Sequence, residues 1–298
     1  MRYRPFGSSG KAVSAVSLAL REHPAVSTAQ AWRSLIFTGM ENGINCFDLD
    51  SRCEVLARGM GEALQAVERR LLSLIWTIRG EPGRALTAQA IAASVRDGLK
   101  STGARYFDVL MLDETAFNAL TAQAPAYLEQ LREARFVLHL GVAGEGPGLD
   151  AAIAQPEFEV FATPYNLTSE WTTRRRLRDG AAQGMIAIAY DVAPSALLAP
   201  AKPALKRLAP LRRAERQPLA GVGTYAFLRE TPGWTPEELC LAYALTEPSL
   251  ATMQMDLTFA DRIEALAAVP DRDTPTGLGA QIEMARFCGD TPDLRKQA

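Results

Sequence analysis

The chain has 298 residues, of which 48% are hydrophobic, and its formal net charge is -2 at pH 7. This balance gives no electrostatic case for nucleic-acid binding, because nucleic-acid binders usually carry a clear basic excess. No stretch approaches the roughly 18 consecutive apolar residues that a bilayer span requires, and the first residues lack a signal-peptide pattern. The sequence therefore predicts a cytoplasmic protein with no membrane insertion and no nucleic-acid partner.

Short apolar runs alternate with longer amphipathic segments along the whole chain. The apolar runs predict eight strands, at 15–20, 43–47, 71–77, 106–112, 137–142, 159–163, 185–190 and 250–255. The intervening segments carry apolar residues at helical spacing. They predict helices at 28–41, 54–69, 87–101, 117–133, 169–183, 235–245 and 260–268. Buried strands that alternate with helices indicate a parallel sheet, because parallel strands need a crossover between them.

Eight is the number of strands that closes a (β/α)8 TIM barrel. The competing α/β fold, an open doubly wound sheet, would place a glycine-rich turn directly after the first strand. The residues there are Arg21, Glu22 and His23, which form no such turn. We therefore expect a single barrel domain over residues 1–298, with an elaborated rim loop at about 201–231 and a C-terminal tail at about 270–298.

The cysteines of the chain give no support for a structural zinc site. They are Cys46, Cys53, Cys240 and Cys288, and they show no CxxC spacing and no nearby pair of histidines. Structural zinc sites take their ligands from such closely spaced pairs. No metal is therefore expected.

Several short motifs follow one another in order along the chain. They are found at 2–10, 43–48, 141–142, 165–167, 188–190 and 239–245. In this order and spacing they resemble the aldo-keto reductases, from the start of the chain to about residue 270. The resemblance implies a barrel that reduces carbonyl groups with a nicotinamide hydride. It also implies a catalytic set of one aspartate, one tyrosine, one lysine and one histidine.

At these four family positions the sequence reads Asp48, Cys53, Ile78 and Asp113, so three of the four groups are replaced. A phenol is a poor proton donor at neutral pH unless a neighbouring ammonium lowers its pKa, and both groups are missing here. Carboxylates at Asp48 and Asp113 would raise the pKa of the Cys53 thiol. Arg79 is expected to point away from the barrel interior, because side chains alternate along a strand. A conventional reductase is therefore not expected.

The positions that the resemblance implies for the cofactor are partly kept. Tyr190 matches the tyrosine on which family members stack the nicotinamide ring, with packing at the barrel mouth as its alternative role. Asp191 replaces the usual serine, and Arg262 matches the arginine beside the adenosine. Asp256 stands where NADP-preferring members carry a cation, so a bound nucleotide is predicted to be NAD(H). The stretch 144–148, GEGPG, lacks the context of a phosphate-binding motif and predicts a flexible rim loop.

Two groups of charged residues have a plain and a functional interpretation. Glu22 and Asp50 are expected to join Asp48 and Asp113 near the barrel mouth, where acidic clusters sometimes bind a divalent cation. No histidine completes such a cluster, so solvated rim acids are the preferred interpretation. Basic residues at 174–178 and 202–216 predict solvated faces, with docking of an acidic protein partner as the alternative.

These residues together predict a catalytically degenerate oxidoreductase homologue that senses NAD(H) and regulates a protein partner. Among degenerate members of the family, the pattern resembles a bacterial cell-division regulator, which implies that the partner is the tubulin-like protein FtsZ. Two alternatives stay open. One is an active NAD(P)H-dependent oxidoreductase with an altered proton donor, such as Cys53 or a water held by Asp48. The other is an interaction scaffold that binds no nucleotide.

Overall fold

The computed structural model describes residues 1–8, 10–198, 225–257 and 259–290. It begins with a two-stranded antiparallel hairpin formed by β1 (Tyr3–Pro5) and β2 (Ala12–Ser14). Eight further strands follow, and all their pairings are parallel. They are β3 (Val16–Leu20), β4 (Cys46–Asp50), β5 (Ser73–Ile78), β6 (Phe107–Asp113), β7 (Val137–Ala143), β8 (Val160–Pro164), β9 (Ile186–Tyr190) and β10 (Leu250–Met255).

The eight parallel strands close into a barrel in the order β10-β3-β4-β5-β6-β7-β8-β9. Closure is complete because β10 pairs with β3 on one side and with β9 on the other. The predicted (β/α)8 TIM barrel is therefore confirmed. The strand predicted at 43–47 is observed three residues later, so Asp48 lies inside β4 and not after it.

Helices follow the barrel strands and surround them. They are α1 (Ala29–Glu41), α2 (Glu54–Leu64), α3 (Ala88–Thr102), α4 (Glu114–Asn118), α5 (Ala124–Glu133), α6 (Pro147–Ile153), α7 (Trp171–Ala182), α8 (Ser195–Leu198), α9 (Phe227–Glu230), α10 (Pro236–Ala244), α11 (Ala260–Ala268) and α12 (Leu278–Asp290). Thr28, Thr87 and Thr235 cap α1, α3 and α10, because each side chain accepts a hydrogen bond from a backbone N–H in the first turn.

The helix predicted at 117–133 is wrong, because the structure has two helices there, α4 and α5. Between them the backbone turns to pair with the segment around Leu86. The Leu86 N–H donates to the Ala119 carbonyl at 2.7 Å, and the Thr121 N–H donates to the Leu86 carbonyl at 3.1 Å. These bonds replace the helical ones, and the sequence of the helix itself contains no signal for them.

The apolar residues form two separate cores. A large outer core fills the space between strands and helices and includes Trp32, Trp76 and Phe161. A smaller inner core fills the barrel and includes Ile75 and Met111. Neighbouring residues of one strand enter different cores because side chains alternate between the two faces of a strand.

The hairpin β1–β2 closes the N-terminal end of the barrel. Phe6 and Val13, in and beside the hairpin, belong to the inner core and are 1% and 0% exposed. The Arg4 guanidinium donates to the carbonyls of Glu247 at 2.9 Å and Leu250 at 2.7 Å, immediately before and at the start of β10. The open end of the barrel is therefore the opposite one, where the strands end.

Of the two predicted segments beyond the barrel rhythm, the rim loop falls largely and the tail partly outside the described residues. Of the predicted rim loop at about 201–231, only residues 225–231 are described, and they contain α9. Of the predicted tail at about 270–298, residues 278–290 form α12, and residues 291–298 lie outside the described ranges. Within the described ranges, no helix combines the length and apolarity needed to cross a membrane.

Candidate functional site

A cavity of about 450 Å³ opens at the mouth of the barrel, at the C-terminal ends of the strands. In TIM barrels the functional residues are found at this end. Its wall combines small apolar side chains with a mixed set of charges. The charged residues on the wall are Arg21, Asp48, Arg79, Asp113, Asp191, Glu237, Asp256 and Arg262.

Asp48 lies on β4 at the bottom of this cavity and is 3% exposed. Its Oδ1 accepts a hydrogen bond from the Thr77 hydroxyl. Its Oδ2 accepts one from the Gln254 amide at 3.1 Å and another from the guanidinium of Arg21. Protein donors thus engage both oxygens of the carboxylate, so Asp48 is held in place as part of a buried polar cluster.

Arg21 supplies the cation of this cluster, a role that was not predicted from the sequence. It follows β3, and its guanidinium also donates to the backbone carbonyls of Leu20 at 3.0 Å and Asp48 at 3.1 Å. Burial lowers the pKa of Arg21, but the charge and hydrogen bond of Asp48 outweigh this, and its pKa is raised overall. An arginine directly after a barrel strand was the available signal, because such a position lies at the mouth.

The structure corrects two expectations for the end of β5. Ile78 is 6% exposed and belongs to the outer core, so it faces the helices and not the cavity. The side chain that β5 directs toward Asp48 is Thr77, one residue earlier. We expected Arg79 to point away from the mouth, and this was wrong. Its Nε lies 3.1 Å from Asp50 Oδ2, on the cavity wall, because Arg79 shares the inward face with Thr77.

Cys53 lies immediately before α2, is 8% exposed and packs in the outer core. It is not among the residues that line the mouth cavity. Burial is the largest cause that raises the pKa of its thiol, and the carboxylates of Glu22 and Asp50 add to it. The pKa of Cys53 is therefore raised as expected, but the carboxylates that raise it are those of Glu22 and Asp50 and not those of Asp48 and Asp113.

Asp113 ends β6 and lines the cavity, but its carboxylate serves the backbone. One oxygen accepts from the N–H of Gly80 at 2.9 Å and from the N–H of Ala116 at 2.7 Å, which caps α4. Asp50 is likewise engaged, by Arg52 and Arg79. Within the described ranges no group of three or more His, Cys, Asp and Glu side chains is arranged to hold a metal ion.

Tyr190 ends β9 and is half-buried on the cavity wall. Burial raises the pKa of its phenol well above the usual range, and the nearby carboxylates of Glu145, Glu114 and Asp191 raise it further. Asp191 is exposed and has a φ of 47°, in the left-handed region. Partial desolvation of its carboxyl group by the surrounding wall and the charge of Glu145 raise the pKa of Asp191. Tyr190 therefore presents an aromatic ring that retains its proton.

Asp256 and Arg262 line the same cavity, after β10 and on α11, and β10 is the neighbour of β9 in the barrel. Asp256 is exposed, and Arg262 forms an ion pair with Glu237 of α10. The structure thus brings the four predicted cofactor residues, Tyr190, Asp191, Asp256 and Arg262, to the cavity that also contains Asp48 and Asp113. It does not bring Cys53 and Ile78 there.

Comparison with known proteins gives a match only at the level of structure. No protein-family model and no curated protein matches the sequence. The holo form of aldo-keto reductase AKR11C1 from Bacillus halodurans superposes with a TM-score of 0.73, at 17% identity and over 96% of both chains. Its apo form gives a TM-score of 0.71 at the same identity and coverage. The chain has the aldo-keto reductase fold. At such low identity the likeness concerns the fold alone.

On this aldo-keto reductase fold the rim loop after β7 is not free, contrary to our expectation. The carboxylate of Glu114 accepts hydrogen bonds from the backbone N–H groups of Glu145, Gly146, Gly148 and Leu149, at distances of 2.6–3.2 Å. Burial opposes ionisation of Glu114, but these four donors outweigh it and lower its pKa. An acid from another element therefore orders the loop that leads into α6.

Three of the four arginines in the basic run at 174–178 lie beside carboxylates, and the fourth, Arg178, is exposed. The guanidinium of Arg174 lies 3.6 Å from Glu283, that of Arg175 pairs with Asp179, and that of Arg176 pairs with Asp150 at 2.7 Å. Neighbouring carboxylates thus offset part of the positive charge of this run. The second basic run, at 202–216, lies outside the described residues.

Proposed function

We propose that this chain is a catalytically degenerate member of the aldo-keto reductase family that binds NAD(H) at the barrel mouth without reducing carbonyl groups. The environment of Asp48 carries this proposal. Its partners are Arg21, Thr77 and Gln254, where the family resemblance implies an ammonium and a phenol. A nicotinamide, when bound, supplies a hydride, but the protein must also deliver a proton to the carbonyl oxygen.

The phenol and the thiol nearest to the mouth are poor proton donors to such an oxygen. Tyr190 is the phenol on the cavity wall, and its acidic surroundings raise its pKa when donation requires the opposite. The Cys53 thiol is buried outside the cavity, and its pKa is also raised. The lysines within the described ranges are Lys11, which pairs with Asp108 near the N-terminal ends of the strands, and Lys100 on α3.

The cavity wall nevertheless has features that suit a dinucleotide. Tyr190 offers a ring on which a nicotinamide can stack, and Ala143 and Ala162 on the same wall leave room beside it. Asp256 would accept a hydrogen bond from a free ribose hydroxyl and repel a 2′-phosphate. We therefore expect NADH to be preferred over NADPH, and Asp256→Lys to shift the preference toward NADPH. An unaltered preference in this variant would contradict the placement of the adenosine.

A sensor needs a partner that responds to the bound nucleotide. Among degenerate members of the family the sequence resembles the bacterial division regulator KidO, and on that resemblance we propose FtsZ as the partner. NAD(H) would then favour a state of the protein that binds the partner better, and by thermodynamic reciprocity the partner would tighten NAD(H) binding. Sedimentation of FtsZ polymers with and without NADH, in the presence of this protein, tests the coupling.

Titration of NADH fluorescence with the purified full-length protein tests nucleotide binding directly. We expect saturable binding and no oxidation of NADH across a panel of aldehydes and ketones. Absence of binding would refute the sensor and leave the nucleotide-free scaffold. Sustained aldehyde-dependent oxidation would show an active enzyme with an altered proton donor. Loss of that activity in Asp48→Ala or Asp191→Asn would then locate the donor, because these acids lie on the cavity wall.

A further inference from the structure

A patch of arginines and large apolar side chains lies at the end of the barrel opposite the mouth. Just before each of three neighbouring strands, β5, β6 and β7, an arginine is followed by a large apolar residue. These pairs are Arg70-Leu71, Arg105-Tyr106 and Arg135-Phe136. We call these six residues the basal patch. None of them was assigned a function by the sequence analysis.

Hydrogen bonds connect the three pairs into one continuous surface. Arg69, beside Arg70, donates to the Tyr106 carbonyl at 2.8 Å, and its guanidinium lies 4.2 Å from the centre of the Tyr106 ring. The Phe107 N–H, next to Tyr106, donates to the Phe136 carbonyl at 2.9 Å. Since β5, β6 and β7 are adjacent in the barrel, the patch extends across their starts.

Two of the three apolar members of the patch are exposed, and the third, Tyr106, is partly covered by Arg69. Leu71 is 55% exposed and Phe136 is 46% exposed. They are two of only six large hydrophobic residues that are exposed within the described part of the chain. Apolar side chains that gather at one exposed place, framed by polar residues, indicate an interaction site.

The charges of the patch indicate what it binds. Within the described ranges Arg105 and Arg135 have no carboxylate at ion-pair distance, while Arg70 pairs with Glu68 at 2.6 Å. Arg135 also has a φ of 59°, where glycine would be free of strain. Two unpaired guanidiniums on a chain of net charge -2 form a local positive field that attracts carboxylates.

We propose that the basal patch binds an acidic segment of a partner protein, whose carboxylates pair with Arg105 and Arg135 and whose apolar side chains cover Leu71 and Phe136. A nucleic acid fits less well, because its affinity comes from many phosphate contacts, whereas only Arg105 and Arg135 of the patch have no ion pair within the described ranges. A second copy of this chain fits less well too, because a symmetric interface at this patch would bring its arginines close to their equivalents.

Fluorescence anisotropy of a labelled 12-residue peptide of Glu, Asp and Leu, titrated with the full-length protein, tests the proposal. We expect saturable binding that weakens about tenfold in R105E/R135E, because two attractive charge contacts become repulsive. L71S/F136S should also weaken it, through the lost apolar contacts. R58E/R96E, which reverses exposed arginines on α2 and α3, is the matched control and should bind like the original protein.

Three results would overturn the proposal. The first is no binding of the acidic peptide, or equal binding of a peptide with Lys in place of Glu and Asp. The second is an equal effect of R105E/R135E and the control pair. The third is tighter binding of single-stranded RNA or anionic vesicles than of the peptide, lost in the same variant. R105Q/R135Q removes the two charges without reversing them and should also weaken peptide binding. Its melting temperature is compared with that of the original protein to show that the variant is folded. NADH titration reads the opposite end of the barrel, so failure of this proposal and failure of nucleotide binding are distinguishable.

Discussion

Replacing Arg21 with methionine removes a cation from contact with a buried carboxylate. Asp48 is 3% exposed, and its other hydrogen-bond donors, Thr77 and Gln254, are neutral. Removing one partner of a buried ion pair costs about 3–5 kcal/mol, because the remaining charge is left uncompensated in a poorly solvated place. Two neutral donors remain here. We therefore expect Arg21→Met to lower the free energy of unfolding by about 3 kcal/mol.

A double substitution separates the charge effect from the loss of packing. In Arg21→Met/Asp48→Asn neither charge is left, and the amide oxygen introduced by the second substitution can still accept from Thr77, so most of the loss should be recovered. Arg58→Met, which breaks an exposed pair with Glu54 at 3.8 Å, is the control and should change stability by less than about 0.5 kcal/mol.

Urea unfolding at pH 7.5, followed by the fluorescence of the four tryptophans and by circular dichroism, measures these differences. Two outcomes would refute the reasoning. One is a free energy of unfolding for Arg21→Met within about 0.5 kcal/mol of that of the original protein, since a buried uncompensated charge should destabilise the fold by more than this. The other is a double variant no more stable than Arg21→Met, since the loss would then come from packing.

Three further predictions concern the mouth and its rim. Tyr190→Ala should weaken NADH binding about tenfold while Tyr190→Phe preserves it, because the proposed contact uses the ring and not the hydroxyl; equal effects in fluorescence titrations would contradict stacking. Glu237→Gln should tighten NADH binding by about two- to fivefold, since it releases Arg262 from its ion pair and frees it to contact the adenosine; weaker binding would place the adenosine elsewhere. Glu114→Gln should destabilise the protein by about 1–3 kcal/mol and speed hydrogen exchange at 145–149, with Glu81→Gln on the surface as control. The pKa of Glu114 is lowered in the folded state, so its carboxylate stabilises the fold at neutral pH. This stabilisation is lost as the pH falls below the ordinary pKa of glutamate and then through the lowered pKa of the folded state. Urea unfolding of the original protein and of Glu114→Gln at pH 7 and pH 3.5 measures the loss.

The fold was predictable because the barrel is encoded locally. Apolar runs of strand length alternate with helical spacing, and seven of the eight predicted strands overlap the observed ones within two residues at each end. The exception, β4, starts at Cys46 and not at Gly43. Capping threonines such as Thr235 also mark helix starts through neighbouring residues alone. Each of these signals lies within one element, so no tertiary contact is needed to interpret it.

The site was less predictable because its contacts join distant parts of the chain. Arg21 and Asp48 are 27 residues apart and meet only because β3 and β4 are neighbours. Glu114 orders the loop at 145–149 from 31–35 residues away, so GEGPG looked flexible by itself. Ile78 shows the effect of an alignment error of one residue. Because side chains alternate between the two faces of a strand, such an error moves the predicted side chain from the cavity to the outer core.

The last strand of the barrel pairs with the first, and this governs how the protein is made. Strand β3 leaves the ribosome early, yet one of its two neighbours, β10, is synthesised more than 200 residues later. The hydrogen bonds from the Arg4 guanidinium to the carbonyls of Glu247 and Leu250 also cannot form until these later residues have been synthesised. At about 5–20 residues per second, a nascent chain exposes an unpaired edge of β3 for ten seconds or more. We therefore expect newly made chains to pass through an open-barrel intermediate whose unpaired strand edge is prone to aggregation. Chaperones are suited to protect this edge until the barrel closes.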